Sequence, residues 1–314
     1  MVALVCLIPA FFVFTSSEWL YPPPSHIDAY LNMAFSYFFD YPSYYFANYK
    51  TSRVPWLVPL YFLQELVGPY RLTPLVTIGS WIAIGTFYFC LLSALFGRSR
   101  ALRFLPWVVL FPHLSGIALG AGTYHNPGST LYFFASLLFW WNRGRHHSFA
   151  IVAGFFLGCT LFTNVIYLAF LHFYPLLDVF KRRDWRVTFT PYGQVLLGFL
   201  TALLFWGSVS AMFGRSFYFL SPMLRTFDHL VLNPANNAAW HKPLWDVLLQ
   251  QHGDGIYLVG LISAFIASLA RLVTRFRSPR PWMEDLFTLN YIFIFLFWVT
   301  CHAIGPFQAS AVFE

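Results

Sequence analysis

The sequence predicts an all-α polytopic membrane protein. Of its 314 residues, 58% are hydrophobic, 22% are aromatic and only 10% are charged, whereas about 25% of the residues of a soluble domain are charged. Several apolar stretches approach the roughly 17–25 residues with which a helix crosses a bilayer. Backbone polar groups inside a membrane must be satisfied by the protein itself, and no strand pattern suggests a barrel, so we expect helices.

Basic residues indicate which loops lie inside the cell. Thirteen of the 19 Lys and Arg residues occur in four short loops between apolar runs, GRSRALR, NRGRHH, KRRDWR and RLVTRFRSPRPW. Cytoplasmic loops of membrane proteins have such an excess of positive charge. The net charge of +7 is therefore explained by topology, and no basic stripe interleaved with exposed aromatic residues indicates nucleic-acid binding.

This orientation predicts about nine transmembrane helices in a single transmembrane domain, residues 1–314. The first run lacks the basic n-region and the cleavage site of a signal peptide, so we interpret it as a retained span. The long apolar run 148–180 must then turn near Thr163–Asn164. No closing span follows the last one, which is also compatible with a chain truncated at its C-terminus. The expected spans are 1–16, 73–96, 104–120, 127–142, 148–163, 165–180, 190–212, 254–274 and 286–304.

The apolar stretch 54–68 is expected not to cross the membrane. It is short, contains two prolines and ends in a Gly-Pro pair, so a peripheral helix lying in the membrane interface fits it better. Two large outer loops result, 17–72 with peripheral helices and 213–253. Eight of the twelve acidic residues lie on the outer face, and we therefore expect the chemistry of the protein there.

Asp28 has two interpretations, which are compatible. Ser25 is suited to cap a helix over roughly 26–39, and Asp28 follows three residues later, as in a capping box. Alternatively, Asp28 is the working carboxylate of an enzyme at the membrane surface. Asn32 and Ser36 follow at four-residue spacing, which predicts one polar line along the helix, facing up from the membrane.

Four further candidates lie on the predicted outer face before the second outer loop. Asp40 precedes Tyr-Pro and is most simply a turn residue. Lys50 and Arg53 either snorkel to lipid phosphate or form a cationic clamp for a phosphate group, to which Arg offers bidentate geometry. His125, in GAGTYHNPGST, either caps or turns the chain or faces the same cavity as Asp28.

The second outer loop contains NNAAWHKPLWDVLLQQHGDG, which places His241 and Lys242 beside tryptophans. We interpret it as an acceptor-binding loop whose aromatic faces suit sugars or lipid. His241, His252 and Asp254 could hold a divalent metal, but their spacing matches no standard zinc motif, so no cofactor is expected. The four cysteines all lie in apolar segments without a CxxC pair, which indicates neither a disulfide nor a zinc site.

Three segments together show a family resemblance. An acidic residue soon after the first span precedes YYFANYKTSRVPWLVPLYFLQELVG, while FAIVAGFFLGCTLFTN and the final GPFQASAVFE occur later. These segments resemble the GT-C membrane glycosyltransferases, and most closely the bacterial relatives of dolichyl-phosphate-mannose protein mannosyltransferases. The resemblance covers roughly residues 10–180, with weaker similarity from there to the end of the chain. The sequence departs from the family in one respect, because Asp28 is followed by Ala29 where an Asp-Glu pair is common.

The resemblance implies a GT-C-like fold and an inverting hexosyltransferase. Such enzymes transfer a sugar from a polyprenyl-phosphate donor to a glycan, lipid or protein acceptor on the outer or lumenal side of the bilayer. Asp28 is then the expected base, and Lys50 and Arg53 are the expected clamp for the donor phosphate. The other expected substrate-binding residues are Asp40, His125, His241 and Lys242.

Location and two other functions stay open at this point. The short loops favour a bacterial plasma membrane, with the site facing outward, over the endoplasmic reticulum. A non-catalytic transporter or flippase of lipid-linked sugars would need ionisable residues within spans, for which His113, His172 and Asp178 are the candidates. A lipid-linked glycan ligase or polymerase would work on the outer face with Arg and His instead of a first-loop acid.

Overall fold

The computed structural model describes residues 27–41, 49–99, 101–102, 125–146, 148–182 and 190–227, and seven helical residues between 262 and 270. Over these residues the chain forms α-helices and 3₁₀ helices and no strand, so the predicted all-α class is confirmed. The chain divides into two compact units, Met1–Arg225 and Thr226–Glu314. The elements below belong to the first unit, apart from the last two residues of the final helix.

The described helices follow one another along the chain with short connections. In order, they are α1 (Ile27–Tyr37), a first 3₁₀ helix (Tyr49–Ser52), α2 (Val54–Val67), α3 (Pro69–Phe96), α4 (His125–Asn142), α5 (Ser148–Thr163), a second 3₁₀ helix (Val165–Phe170), α6 (Phe173–Arg182), α7 (Thr190–Met212) and α8 (Ser221–Phe227).

Two of these helices, α3 and α7, are long and apolar enough to cross a membrane, judged by length and composition. They have 28 and 23 residues. At about 1.5 Å per residue they measure about 42 Å and about 34 Å, against a hydrocarbon core of about 30 Å. The bounds of α5 and α7 coincide with the predicted spans 148–163 and 190–212. The predicted spans 1–16, 104–120 and 286–304, and most of 254–274, lie outside the described residues.

Gly68 separates α2 from α3 and explains both boundaries. Its φ of 81° lies in the region that favours glycine, and its N–H donates to the carbonyl oxygen of Gln64 at 2.7 Å. Pro69 then begins α3, where a missing N–H removes no helical hydrogen bond. The Gly-Pro pair thus ends α2 where the sequence predicts, and α3 begins before the predicted start of its span.

Small residues bring α5 and α7 close together. Gly154 and Gly158 lie one turn apart on α5, and a Cβ atom at Gly154 would overlap the backbone of Val195. Likewise, a Cβ atom at Gly198 of α7 would overlap the backbone of Ile151. Such small-residue spacing is typical of helices that pack against each other in membranes. The stretch FAIVAGFFLGCTLFTN therefore has a packing role, since its glycines allow α7 to pack closely against α5.

After α5 the chain reverses and runs beside α4, in the same direction as α4. Three side-chain contacts connect the two in order: Tyr167 with Thr130, Tyr174 with Ser136, and Asp178 with Arg143. The predicted turn near Thr163–Asn164 is confirmed, because α5 ends at Thr163. The returning stretch is a 3₁₀ helix followed by the ten-residue α6. Pro175 accounts for this break, since proline fits the first turn of a helix but not its interior.

α2 lies across one end of the bundle that α4, α5 and α7 form. Tyr132, near the start of α4, donates its hydroxyl to the carbonyl oxygen of Pro55 at 2.6 Å. Phe162, in the last turn of α5, belongs to the same buried cluster as the first two turns of α2. The ring of Tyr61 lies 5.5 Å from that of Phe213, just after α7. We call this the α2 end, and the opposite end, where α4 ends and α5 begins, the Arg143 end.

Candidate functional site

The two predicted outer loops meet at the α2 end. The ring of Phe39, in the turn after α1, lies 5.0 Å from the ring of Phe213. Arg215 donates from Nε to the carbonyl oxygen of Phe39 at 3.1 Å, and its guanidinium carbon lies 4.0 Å from the centroid of the Phe39 ring. Arg215 and Phe39 are 176 positions apart in the sequence, so only the fold brings these loops together.

α1 turns its polar line toward the protein. Asn32 and Ser36 are fully buried, and the Ser36 hydroxyl donates to the carbonyl oxygen of Met33 at 2.8 Å. The line is therefore covered by protein, while its predicted direction relative to the membrane stays a prediction. Phe35 is buried on the same side of the helix, whereas Tyr37 is exposed, so the burial of apolar side chains orients α1.

Asp28 is the second residue of α1, which spans Ile27–Tyr37 where the sequence predicts roughly 26–39. It precedes Asn32 by one helical turn, about 6 Å along the axis. Its side chain lies outside the described part of the structure, as does Ser25. Both interpretations of Asp28, the helix cap and the working carboxylate, therefore stay predictions.

Lys50 and Arg53 are buried at the start of α2. Their exposed fractions are 6% and 8%. Lys50 lies on the first 3₁₀ helix, and Arg53 is the N-cap of α2, with its Nη1 atom 3.5 Å from the Oδ1 atom of Asn32. A snorkelling side chain would hold its charged head in the headgroup layer. Both side chains are buried in the protein instead, so their predicted part as a phosphate clamp stays a prediction.

The start of α2 combines three sources of positive charge. Besides the two buried cations, the N-terminus of a helix has a partial positive charge of its own. The first turn of α2 contains no acidic residue, and the side chain of its N-cap, Arg53, makes no capping hydrogen bond. Thr51 and Ser52, which are also buried, add hydroxyl groups to the same short segment. Anions bind readily at such helix N-termini, so this arrangement is suited to a phosphate group.

Asp40 lies on the exposed rim of the α2 end. The N–H of Tyr41 donates to the carbonyl oxygen of Phe38 at 3.0 Å, so Asp40 is in a turn, as predicted. The pKa of the Tyr61 phenol is raised above its ordinary value by burial and then by the negative charges of Asp40 and Glu65. Asp40 is therefore near the middle of α2, while its predicted part in substrate binding stays a prediction.

His125 is the first residue of α4, at the same end of the bundle as the buried cations. Gly128 lies so close to Trp56 that a Cβ atom there would overlap the indole ring, so the start of α4 is pressed against the start of α2. The side chain of His125, and all of His241 and Lys242, lie outside the described residues. Within the described ranges, no three His, Cys, Asp or Glu side chains come together to hold a metal ion.

A buried ion pair joins three elements at the Arg143 end. Arg143 pairs through Nη2 with Oδ1 of Asp178, and the hydroxyl of Tyr192 donates to Oδ2 of the same carboxylate at 3.3 Å. The Arg143 guanidinium carbon also lies 3.9 Å from the centroid of the Trp140 ring. Asp178, a candidate for a transport path, is thus engaged in connecting α4, α6 and α7.

Two residues of the α2 end acquire a role only from the structure. Asn32 contacts Arg53, and its four-residue spacing from Asp28 is the signal that could identify it. Arg215 connects the two outer loops. It is one of only six Lys and Arg residues outside the four basic loops, and this scarcity is the corresponding signal.

Comparisons of the chain with models of known families, with curated proteins and with solved structures gave no significant match. The resemblance to GT-C glycosyltransferases therefore rests on the sequence segments quoted above. The geometry of the α2 end is an independent observation, and it is the one from which a function is argued below.

Proposed function

We propose that this protein is a multi-pass membrane glycosyltransferase of the GT-C type, which transfers a sugar from a polyprenyl-phosphate donor to an acceptor on the outer face. The observation that carries the proposal is the pair of buried cations, Lys50 and Arg53, at the start of α2. Arg53 contacts Asn32 of α1, the helix that contains Asp28. The sequence resemblance suggests the class of donor, and the buried cations of the α2 end support the choice of that end as its site.

In this proposal, Lys50 and Arg53 bind the phosphate of the donor. The planar guanidinium of Arg53 matches the geometry of phosphate oxygens, and Lys50 adds a compact charge. The leaving group is a polyprenyl phosphate, on which negative charge grows as its bond to the sugar breaks. Positive charge that is already in position stabilises that transition state, and removal of one such contact typically lowers kcat by about 10²–10³-fold.

Asp28 accepts the proton of the acceptor hydroxyl in the same proposal. The hydroxyl oxygen forms a bond to the anomeric carbon while the bond from that carbon to the phosphate oxygen breaks, so the configuration inverts. The proton passes to the Asp28 carboxylate, and the electron pair of the broken bond stays on the phosphate. A positioned base contributes about 10²–10⁴-fold. Asn32, one turn after Asp28, contacts Arg53, so base and clamp are assigned to adjacent segments.

Transfer of a labelled hexose from a polyprenyl-phosphate donor, in membranes that contain the full chain, tests the proposal. We expect Asp28→Asn to lower kcat by about 10²–10⁴-fold with little change in the donor KM. Arg53→Lys keeps the charge but loses the bidentate geometry, so it should raise the donor KM and lower kcat. Arg145→Gln is the matched control, because Arg145 is exposed at the Arg143 end. The amount and homogeneity of folded protein are compared between variants by size-exclusion chromatography in detergent.

The outcomes distinguish the proposed roles. Full activity of Asp28→Asn would remove Asp28 as the base and direct the search to Asp40 or the second outer loop. Equal losses in Arg53→Lys and Arg145→Gln would remove the clamp assignment. Translocation of the donor lipid across vesicles, without transfer to any acceptor, would contradict the enzyme and favour the transporter.

A further inference from the structure

Arg215 is outside the proposed clamp and base, yet it connects the segments that contain them. Its side chain contacts Phe39 through the Nε hydrogen bond and the ring stacking described above. Its backbone N–H donates to the carbonyl oxygen of Ser210 at 3.0 Å, and the Ser210 hydroxyl donates to the carbonyl oxygen of Ser216 at 2.8 Å. Arg215 is therefore anchored by its backbone to the last turn of α7 and by its side chain to the turn after α1.

The residues around Arg215 hold this connection in place. The ring of Phe213 lies against the rings of both Phe39 and Tyr61. After Arg215, the chain folds back closely onto α7, because a Cβ atom at Gly207 of α7 would come within 3.0 Å of the ring of Phe217. Arg215 is consequently presented from a packed segment, and a movement of this segment would also move the turn after α1.

Two arginines from different parts of the chain thus contact α1 and its following turn. Arg53 reaches Asn32 in the middle of the helix, and Arg215 reaches Phe39 just beyond its end. These contact points are about 10 Å apart along the helix axis, so together they define its orientation as well as its place. α1 has only 11 residues, and helices shorter than about 12–15 residues are marginal in isolation. Its orientation therefore depends on contacts of this kind.

We propose that Arg215 is a positioning residue that fixes the orientation of α1, and with it the place of Asp28 relative to Lys50 and Arg53. The catalytic consequence rests on the proposed function, whereas the positioning itself does not. Because Arg215 belongs to the second outer loop, which we expect to bind the acceptor, the same contact couples that loop to the base. Arg215 acts on the reaction through α1 and not through contact with the donor.

Cysteine labelling tests the positioning without a substrate. Ser36 is fully buried on α1, and Ser36→Cys introduces a thiol of similar size. We expect slow labelling by a membrane-impermeant maleimide in the full-length protein. Addition of Arg215→Gln should increase the labelling rate by about tenfold or more. The hydrogen bond from a charged group no longer holds α1 against the protein, so Ser36→Cys is exposed more often. Arg145→Gln should leave the rate unchanged, and the protein without Ser36→Cys corrects for the native cysteines.

Kinetics then separate positioning from binding. Arg215→Gln should lower kcat by about 10–100-fold, since a misplaced catalytic group has effects of this size, while the donor KM changes by less than about twofold because the clamp is intact. Arg215→Lys keeps a charged donor for the Phe39 carbonyl and should restore part of kcat. Phe39→Leu keeps the carbonyl but removes the ring, and it provides a second test if Arg215→Gln does not fold.

Unchanged labelling of Ser36→Cys in the presence of Arg215→Gln would overturn the proposal. A raised donor KM with an unchanged kcat would also overturn it, because Arg215 would then bind the donor directly. If the wild-type protein transfers no sugar from any donor, the proposed function fails. The labelling experiment still decides in that case whether Arg215 orients α1.

Discussion

The ion pair at the Arg143 end allows a quantitative test of both the fold and the competing functions. Arg143→Met removes the charge but keeps a long unbranched side chain, and it leaves the Asp178 side chain buried, with an exposed fraction of 5%. Loss of one partner of a buried ion pair typically costs about 3–5 kcal/mol. The Tyr192 hydroxyl, at 3.3 Å, is a neutral donor and compensates little of this. The half-life of the folded protein should therefore fall, by about 100-fold where the pair is already broken in the transition state for unfolding.

Removal of both charges should restore most of that stability. In the double variant Arg143→Met/Asp178→Leu, apolar side chains replace both ions, an exchange that is often neutral or stabilising in buried sites. The double variant should thus be more stable than Arg143→Met alone, with a coupling energy of about 2–3 kcal/mol. Arg145→Met is the matched control, since Arg145 lies in the same turn but is exposed.

The assay is the half-life of the folded full-length protein in detergent at a fixed temperature, because many proteins unfold irreversibly and their stability is then measured as a rate. A half-life of Arg143→Met equal to that of the Arg145→Met control would refute the pairing, and with it the path of residues 165–182 beside α4. The double variant also separates the functions. If the protein were a transporter that uses Asp178, the double variant would lose transport. The proposed transferase should keep its transfer activity in the same variant.

Two further predictions concern the packing of the helices. Gly154→Leu should cost about 3 kcal/mol or more by forcing α5 away from α7, and little folded protein should be recovered. Gly193→Leu, at a position on α7 with open space around it, should be tolerated, and equal yields of the two variants would contradict the close packing. Gln64 is 2% exposed, and within the described part of the structure its amide atoms have no hydrogen-bond partner. Gln64→Met should therefore stabilise the folded protein by about 1–3 kcal/mol and lengthen its half-life. A shortened half-life would show that the amide is satisfied in the folded protein.

The ends of several helices could be predicted from the sequence because neighbouring residues determine them. α5 follows the basic turn after α4 and ends before Asn164, and α2 ends at Gly68, whose positive φ a side chain would disfavour. The returning stretch 165–182 was harder to predict. Its hydrophobicity is that of a single span, and the 3₁₀ segment forms because Pro175 and the tyrosines favour contacts with α4 over a continuous helix.

The contents of the candidate site could be predicted only in part, because long-range contacts determine its geometry. Lys50 and Arg53 were identifiable as a cation pair from their spacing, but their burial is a property of the fold. The polar line of α1 is visible in the sequence, yet periodicity alone does not say whether such a line faces solvent or a buried partner. The contact between Arg215 and Phe39 joins residues 176 positions apart, and no local pattern specifies it.

The two ends of the bundle hold arginine side chains through contacts of different kinds. At the Arg143 end, a guanidinium meets a carboxylate, so that contact cancels charge and stabilises the bundle. At the α2 end, Arg53 contacts an amide oxygen and Arg215 a backbone carbonyl. These two contacts orient the guanidinium groups. An end of the bundle at which cations are held in orientation beside a helix N-terminus is suited to a transient anion, and the phosphate of a lipid-linked sugar is such an anion.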